Sequence, residues 1–540
     1  MSLECPFPSR TAVPLLLAAM LGFGCGTETP AGVGKLPGPS FKLAPSKTTL
    51  QQTLVPVEPA VNPENPDAIP AATRAKFGQF STGPGESFTF RNDLAIAGAS
   101  DTLGSQARSV VYFPVVTDVH ISDTKSPMRL CEADSIGTFQ GAYRPQDRYG
   151  SQVLDAMVRT LNDFSVKRHY DFFLALGDNI DNTSKDELRW FIGVLDGQVV
   201  LPNSGKIVDV VPGPLNDPHD PFQAWGLDKK VPWYTTLGNH DYEVEGTFRV
   251  TDQAKAIAIG DTVNLGSEDD QGNIIPDGTK IVADPNRALL GPLGDMQQFF
   301  DTKTLPVGHG FTQANLQSGF GDYAFQPNPA VPLKVIDLDL ECRNADSADG
   351  CLRQDDVDNF LKPQLDDAVQ KHELVIIASH QAAEALNPDA TEVSSQDFKA
   401  LLESYPNVVL HLVGHGHNNV VRPEPGTSAA APGYWEVETS SLIDYPQESR
   451  IIEIADNGDG TGEIFATMVN HNSPDGSLTA TSRSLSLEDI QDDDNTSGAE
   501  GNPEDRNVEL AIQIPADVEQ ALKSAPLPSK IESLTTLEGK

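Results

Sequence analysis

Basic side chains are scarce in this chain of 540 residues. Lysine and arginine number 38 against 77 aspartates and glutamates, which leaves a net charge of −39. So acidic a surface repels nucleic acid and anionic membranes, and it attracts cations. Long apolar runs are missing as well. Beyond the first 25 residues, nothing approaches the roughly 18 uninterrupted apolar residues that suggest a membrane-crossing helix. There is no G-x-S-x-G nucleophile elbow and no Walker-type phosphate loop, and no internal repeat. Serine-hydrolase, P-loop and solenoid readings fall away with them. Cysteine is rare, five in all, whereas 41 prolines and 44 glycines promise many loops.

The first 25 residues read as an export signal. Arg10 supplies a positive start, and Ala12 to Phe23 is an apolar run too short to span a bilayer comfortably. The stretch ends in Leu21-Gly22-Phe23-Gly24-Cys25. It resembles a lipoprotein signal, in which the cysteine becomes the lipidated first residue; Gly24 fits that pattern and Gly22 departs from it. The expectation is a signal over 1–24, a lipid on Cys25, and residence in the cell envelope, periplasmic or on the outer surface. The plainer alternative is an ordinary cleaved signal with an incidental cysteine. In such an oxidising compartment Cys342 and Cys351, which flank a polar loop, are expected to form a disulfide. Cys131 is left over and reads as a buried thiol.

Residues 25–72 are rich in Pro, Gly, Thr and Val with little periodicity, and read as a flexible tether. Residues 73–107 carry Phe77, Phe80, Phe88 and Phe90 and are expected to pack on the main body as an edge strand or two. That body is expected over 108–474. Apolar runs at 109–117, 171–176, 231–237, 333–340, 373–379 and 407–413 read as strands. Residues 151–168, 186–195, 354–371 and 398–404 read as helices, with Pro363 expected to break the third. Residues 242–330 form a Gly-, Asp- and Asn-rich insertion, expected either to shape the rim of a site or to serve as padding. After Pro474 the composition turns polar, so 475–540 is expected to be a largely disordered acidic tail with a short helix at 516–524.

Five short stretches carry the functional signal, each directly after an apolar run. They are Asp118-Val119-His120, Gly177-Asp178-Asn179, Gly238-Asn239-His240-Asp241, Ser379-His380 and Gly414-His415-Gly416-His417, and they hold five of the eleven histidines. Strands ending in such loops fit a layered α/β architecture with its site at the strand C-termini. Imidazole and carboxylate together suit hard and borderline divalent or trivalent metals. A lone D-x-H or G-D-N arises often by chance; the five in this order do not. The glycines around His415 and His417 are expected to let the backbone turn tightly enough for both rings to face one site.

In this order the stretches resemble the pattern of the calcineurin-like metallophosphoesterase superfamily: D-x-H, G-D, G-N-H-D/E, a lone H and G-H-x-H, over roughly 108–470, here in an exported bacterial member. The resemblance implies an α/β fold, a four-layer α/β/β/α sandwich with two mixed β-sheets. It implies that Asp118, His120, Asp178 and His417 hold one metal, and that Asp178 bridges to a second held also by Asn239, His380 and His415. It makes His240 a catalytic histidine and not a ligand, oriented by Asp181; a turn or N-cap role is the alternative for Asp181. The implied cofactors are two metal ions, of Fe, Mn or Zn. The implied activity is hydrolysis of a phosphomonoester or phosphodiester by a metal-bound hydroxide.

The partner is then a phosphate-ester substrate. No nucleic acid is expected, and membrane contact only through the lipid anchor. Gly177 to Thr183 lacks the arginine found at this motif in Ser/Thr protein phosphatases, and Asp181 stands where purple acid phosphatases carry a tyrosine ligand. Both subclasses are disfavoured. The rival reading is a lipid-anchored, metal-containing binding protein that has lost turnover. Arg129 and Lys125 read as salt-bridge partners before phosphate contacts, His309 as a surface-loop residue before a rim residue, and His411 as a core histidine.

Overall fold

The computed structural model describes residues 36, 43–59, 69–135, 141–343, 345–428, 430–492 and 500–539. The expected signal over 1–24 and Cys25 lie outside them. In chain order the strands of the body are β1 (Thr89–Arg91), β2 (Arg108–Val116), β3 (Phe173–Leu176), β4 (Trp233–Thr236), β5 (Tyr323–Phe325), β6 (Leu333–Leu338), β7 (Leu374–Ser379), β8 (Val408–Val413), β9 (Val420–Ser428), β10 (Ala431–Glu438), β11 (Glu448–Asp456), β12 (Thr461–Asn470) and β13 (Val508–Gln513). The principal helices are α1 (Gly150–Ser165), α2 (Lys185–Leu195), α3 (Lys362–Lys371), α4 (Ser395–Glu403), α5 (Leu478–Asp492) and α6 (Ala516–Ser524).

The strands form two mixed sheets, one ordered β1-β13-β12-β11-β2-β3-β4 and the other β5-β6-β7-β8-β10-β9. Within the first, β2, β3 and β4 are parallel. Within the second, β6, β7, β8 and β10 are parallel. Parallel strands covered on both faces read as unbroken apolar runs, and Leu374-Val375-Ile376-Ile377-Ala378 is such a run. Its alternate side chains divide between two cores. Ile376 and Ala378 meet Val111, Phe113 and Val115 of β2 between the sheets, while Val375 and Ile377 meet Leu365 of α3 and Phe398 of α4 outside. On the far side Tyr112 and Val116 of β2 pack against Leu154 of α1 and Phe191 of α2. The three apolar clusters therefore separate four layers, α/β/β/α.

Three expectations about organisation are corrected. Residues 475–540 are not a largely disordered tail. Helix α5 buries Leu487 and Ile490, and β13 lies inside the first sheet between β12 and β1, placing Val508, Leu510 and Ile512 in the inter-sheet core. The body therefore does not end at 474. Composition misleads here because one short alternating strand suffices to enter a sheet, and the surrounding charge is neutralised by pairing. Arg506, for example, reaches Glu448 at 3.0 Å and Glu86 at 3.0 Å. Residues 25–72 are not tether throughout, since Gln52–Pro56 pairs antiparallel with Phe80–Pro84. Thr48 and Thr49 are buried and donate to the carbonyls of Leu537 and Met468. These contacts are backbone and hydroxyl bonds, which leave no apolar periodicity to read. Finally, Pro363 does not break its helix. Gln354–Asp356 runs into α3 through a π-helical turn at Val357–Leu361. The proline then sits in the first turn of α3, where a missing N–H costs least.

Residues 242–330 carry short helices at Asp252–Ala258, Gly291–Gln298 and Gln313–Ser318 and a small ribbon pairing Ser267–Glu268 with Ile274–Ile275. Cys342 and Cys351 are joined by a disulfide with Cα atoms 4.8 Å apart. Cys131 is a buried free thiol. Among the described residues no helix is long and apolar enough to cross a membrane.

Candidate metal centre

All five motif loops follow the C-terminal ends of parallel strands. Asp118 and His120 follow β2, Asp178 follows β3, Asn239 and His240 follow β4, His380 follows β7, and His415 and His417 follow β8. Both sheets thus deliver side chains to one edge, where three overlapping groups converge: Asp118, His120 and His417; His120, Asp178 and His240; Asp178, His380 and His415.

The backbone there is unusual. Asp118, His120, Asp178, His415 and His417 all have left-handed φ, between 44° and 71°, a region that few non-glycine residues occupy and that tends to mark functional sites. This corrects the expected role of Gly414 and Gly416. The histidines themselves take the left-handed turn, and the glycines make room. A Cβ on Gly414 would lie 2.0 Å from Thr117 Oγ1, and one on Gly416 would lie 2.1 Å from Glu438 Oε1.

The donor atoms face inward. His417 Nε2 lies 3.2 Å from Asp118 Oδ1 and 3.2 Å from His120 Nε2. Asp178 Oδ2 stands between His380 Nε2 at 3.1 Å and His120 Nε2 at 3.6 Å. Asn239 donates its amide to Gly246 O at 3.0 Å, which turns Oδ1 toward His415 Nδ1 at 3.1 Å. Asp118 Oδ2 accepts from Thr117 Oγ1 and from His415 N. Its other oxygen, Oδ1, is buried without a hydrogen bond, and so is His380 Nε2. Orphaned polar atoms of this kind are costly to bury. Two acids, an amide and four imidazoles around them make a donor set that suits paired cations.

Ring orientation follows from the outer nitrogens. His120 Nδ1 lies 2.9 Å from Asp181 Oδ1, His417 Nδ1 lies 2.7 Å from Asp444 Oδ2, and His380 Nδ1 lies 2.7 Å from the carbonyl of Leu176. Ionised carboxylates and carbonyls only accept, so each Nδ1 carries the proton and each Nε2 presents a lone pair to the centre. In the metal-free protein the anionic surroundings draw protons onto several of these rings. Burial pushes His120 down, but Asp118 and Asp181 outweigh it and lift it to about 10. His380 rises likewise against burial, through Asp178 and Asp118. His415, buried and beside His380, falls to about 4.

Asp181 sits differently from its expected place. Its carboxylate holds His120 Nδ1 and stands 2.9 Å from Arg129 Nη1. His240 Nδ1 bonds instead to the Asp181 backbone carbonyl at 2.7 Å and lies 3.6 Å from the carboxylate. Burial brings His240 down to about 4. Arg129 is buried among Asp181, Asp147 and Glu245, and Lys125 is held by Asn203 and Asp270. Neither faces the centre as a free cation. His309 is not a surface residue; it is buried and stacks on Trp233. His411 is buried between Ser379 and Glu436.

The sequence reading missed Asp444 and Arg144, which pair at 3.0 Å behind His417. The available signal was position: like the other site loops, the Asp444 loop follows a strand, here β10.

No curated protein matches the chain. Among solved structures, a dimetal phosphatase from Danio rerio aligns with a TM-score of 0.38 at 12% identity, over 67% of this chain and 99% of that one. The calcineurin-like phosphoesterase profile matches residues 113–419, from within β2 to just past His417. With more than half of its length matched, and with the matched segment delivering the convergent histidines and aspartates, the chain belongs to the calcineurin-like phosphoesterase family, whose general activity is metal-dependent hydrolysis of phosphate esters.

Proposed function

We propose that the protein hydrolyses a phosphomonoester or phosphodiester at a two-cation centre. Asp118, His120, Asp178 and His417 would hold one cation, and Asp178, Asn239, His380 and His415 would hold the other. The observation that carries this reading is the convergence of imidazoles and carboxylates in three overlapping groups, with Asp118 Oδ1 and His380 Nε2 buried there without a hydrogen bond. Iron, manganese and zinc all suit the set. Two cations held there supply Lewis-acid polarisation of the phosphoryl oxygens and offset the charge that develops on them.

The remaining work falls to the chain. The Asp181 carbonyl takes His240 Nδ1–H and leaves Nε2 toward the centre; once Nε2 has itself taken up a proton, the imidazolium would pass it to the leaving oxygen, a role worth about 10²–10⁴-fold for a placed acid. Asp178 Oδ1 accepts the His240 backbone N–H at 2.9 Å, so the proton carrier and the shared carboxylate move as one unit. Gly246 presses on the His240 ring; a Cβ there would lie 2.2 Å from Cδ2. The start of the 242–330 segment therefore takes part in shaping the centre.

Elemental analysis of purified protein, paired with a panel of phosphomonoesters, phosphodiesters and phospholipids, tests the proposal. Two metal equivalents and turnover on one ester class support it. A metal-replete chain that turns over none of them returns the binding-protein reading. The proposal also places the protein in the cell envelope through a lipid on Cys25, on the strength of the 1–25 sequence. Cys25→Ser should then release it from membranes, and material that stays membrane-bound would refute the anchor.

A further inference from the structure

We propose that Asp444, clamped by Arg144, is a positioning residue that fixes His417 for cation binding, so that the centre is built from six loops and not five. The inference rests on the two-cation reading above and extends it to Asp444, which lies outside the matched segment.

Asp444 follows β10, the fourth parallel strand of the second sheet. Its loop is keyed to the Asp118 loop through the main chain: Leu442 N and Ile443 N both donate to Asp118 O, at 3.1 Å and 3.2 Å. The loop is also braced internally, with Ser441 Oγ accepting from Asp444 N and Gln447 N donating to Asp444 O. The backbone of residue 444 is therefore set by the same residue that carries a donor atom of the centre.

The side chain is equally constrained. One carboxylate oxygen takes His417 Nδ1 at 2.7 Å. The same oxygen accepts Arg144 Nε–H at 3.2 Å, and the other accepts Gln146 Nε2 at 3.1 Å and lies 3.0 Å from Arg144 Nε. The side chains of Asp444 and Arg144 are 2% and 4% exposed, so the pair works away from solvent, where a charged hydrogen bond is strong and a lost one is costly. Arg144 also lies 3.8 Å from Asp181 Oδ1, the oxygen that binds His120 Nδ1. One guanidinium thus stands behind the carboxylates that orient both His120 and His417.

The consequence is a tautomer lock. While Asp444 is ionised, His417 must donate Nδ1–H and present Nε2 to Asp118. An amide at 444 can present either its oxygen or its NH₂ to Nδ1, and the lock is lost. The His380 side of the centre has only a neutral carbonyl, that of Leu176, in the equivalent place, so the effect belongs to the His120–His417 side.

The test is a titration of the metal-free full chain with cobalt(II), read by the visible absorption of the bound ion, alongside the melting temperature of the metal-free protein. Asp444→Asn is expected to weaken one of two cobalt equivalents by about 10–100-fold, the usual cost of losing such a backing group. The spectrum of that equivalent should change, and the metal-free melting temperature should fall, because Arg144 is left buried without its carboxylate, so affinity and spectrum are compared on variant protein that is folded at the titration temperature. Arg144→Lys keeps the charge and Asp444 but cannot reproduce the guanidinium fork; it is expected to give a smaller loss at the same equivalent, and it decides the matter alone if Asp444→Asn does not fold. Parent protein that takes up no cobalt overturns the metal centre itself. Parent protein that binds two equivalents, with folded variants matching it in affinity and spectrum, overturns the positioning role and leaves the centre standing.

Discussion

His120 and His417 stand 297 positions apart in the chain, yet their Nε2 atoms lie 3.2 Å from each other. Two lone pairs that close repel unless a cation or proton lies between or beside them. Each ring is held there from behind by its own carboxylate, Asp181 or Asp444. The two residues come from different sheets, so their approach depends on the packing of β2 against β8 through the inter-sheet core. Fold stability and cation affinity are linked through this contact.

Removing one ring should therefore remove a cation. His417→Ala is expected to lower bound metal by one equivalent per chain. Hydrolysis should drop at least about 100-fold, since the lost Lewis acid supplies several kcal/mol of transition-state stabilisation. Elemental analysis with a kcat measurement checks this, and an unchanged metal count contradicts the ligand assignment.

His240 should behave in the opposite way. It touches Asp181 O and lies beside the centre without joining the His417–Asp118 or His380–Asp178 contacts. His240→Asn is expected to keep both metals while kcat falls about 10²–10⁴-fold. A variant that loses metal would show the ring to be a ligand.

The cations should also stabilise the fold. Without them the buried Asp118 Oδ1 and His380 Nε2 make no hydrogen bond. A ligand present at 100 times its Kd adds about 2.7 kcal/mol, so dialysis against a chelator should lower the melting temperature and re-addition of metal should restore it. A melting temperature indifferent to chelation would mean that the centre is not loaded in the folded protein.

The catalytic edge was legible in the sequence because each donor loop follows a short, buried and mainly apolar parallel strand. Leu374 to Ser379 followed by His380, and Val408 to Val413 before His415, are such cases. Asp444 was not legible for the converse reason: five residues separate it from the end of β10 at Glu438, and its hydrogen-bond partner Arg144 lies 300 positions away. The role of Asp181 was half legible. The family resemblance implied a place beside His240, but only the three-dimensional packing assigns its carboxylate to His120 and its carbonyl to His240. The second half of the first sheet was hidden by composition. Val508 to Gln513 is a short alternating segment amid acidic residues, and its partner strand β12 shows no sign in sequence of needing it.

That strand gives a direct prediction. Leu510 is fully buried between the sheets. Leu510→Ala should cost about 2–5 kcal/mol through lost transfer energy and the cavity left behind. Urea unfolding measures it. A change under about 0.5 kcal/mol, typical of exposed positions, would return 475–540 to the status of a dispensable tail.

The same strand carries a pH dependence. Glu463 of β12 and Glu509 of β13 are diagonal neighbours on one face, because Glu463 pairs with Ala511 and Phe465 pairs with Glu509. Burial and Asp459 lift Glu463 from 4.5 to about 7, despite the Asn457 amide. Burial, Glu463, Asp101 and Glu538 lift Glu509 from 4.5 to about 8. A carboxyl raised in the folded state binds its proton more tightly there than in the unfolded chain. The folded state is therefore favoured below pH 4.5, and stability falls as pH climbs through the window up to 7 and 8. Glu509→Gln removes one of the two groups, and with it that group's share of the slope. The urea midpoint of the parent should fall between pH 5 and pH 8.5, and that of Glu509→Gln should fall less. Parallel pH profiles for the two proteins would mean that this pair does not couple to folding, because only a group whose proton affinity differs between folded and unfolded chains can tilt the curve.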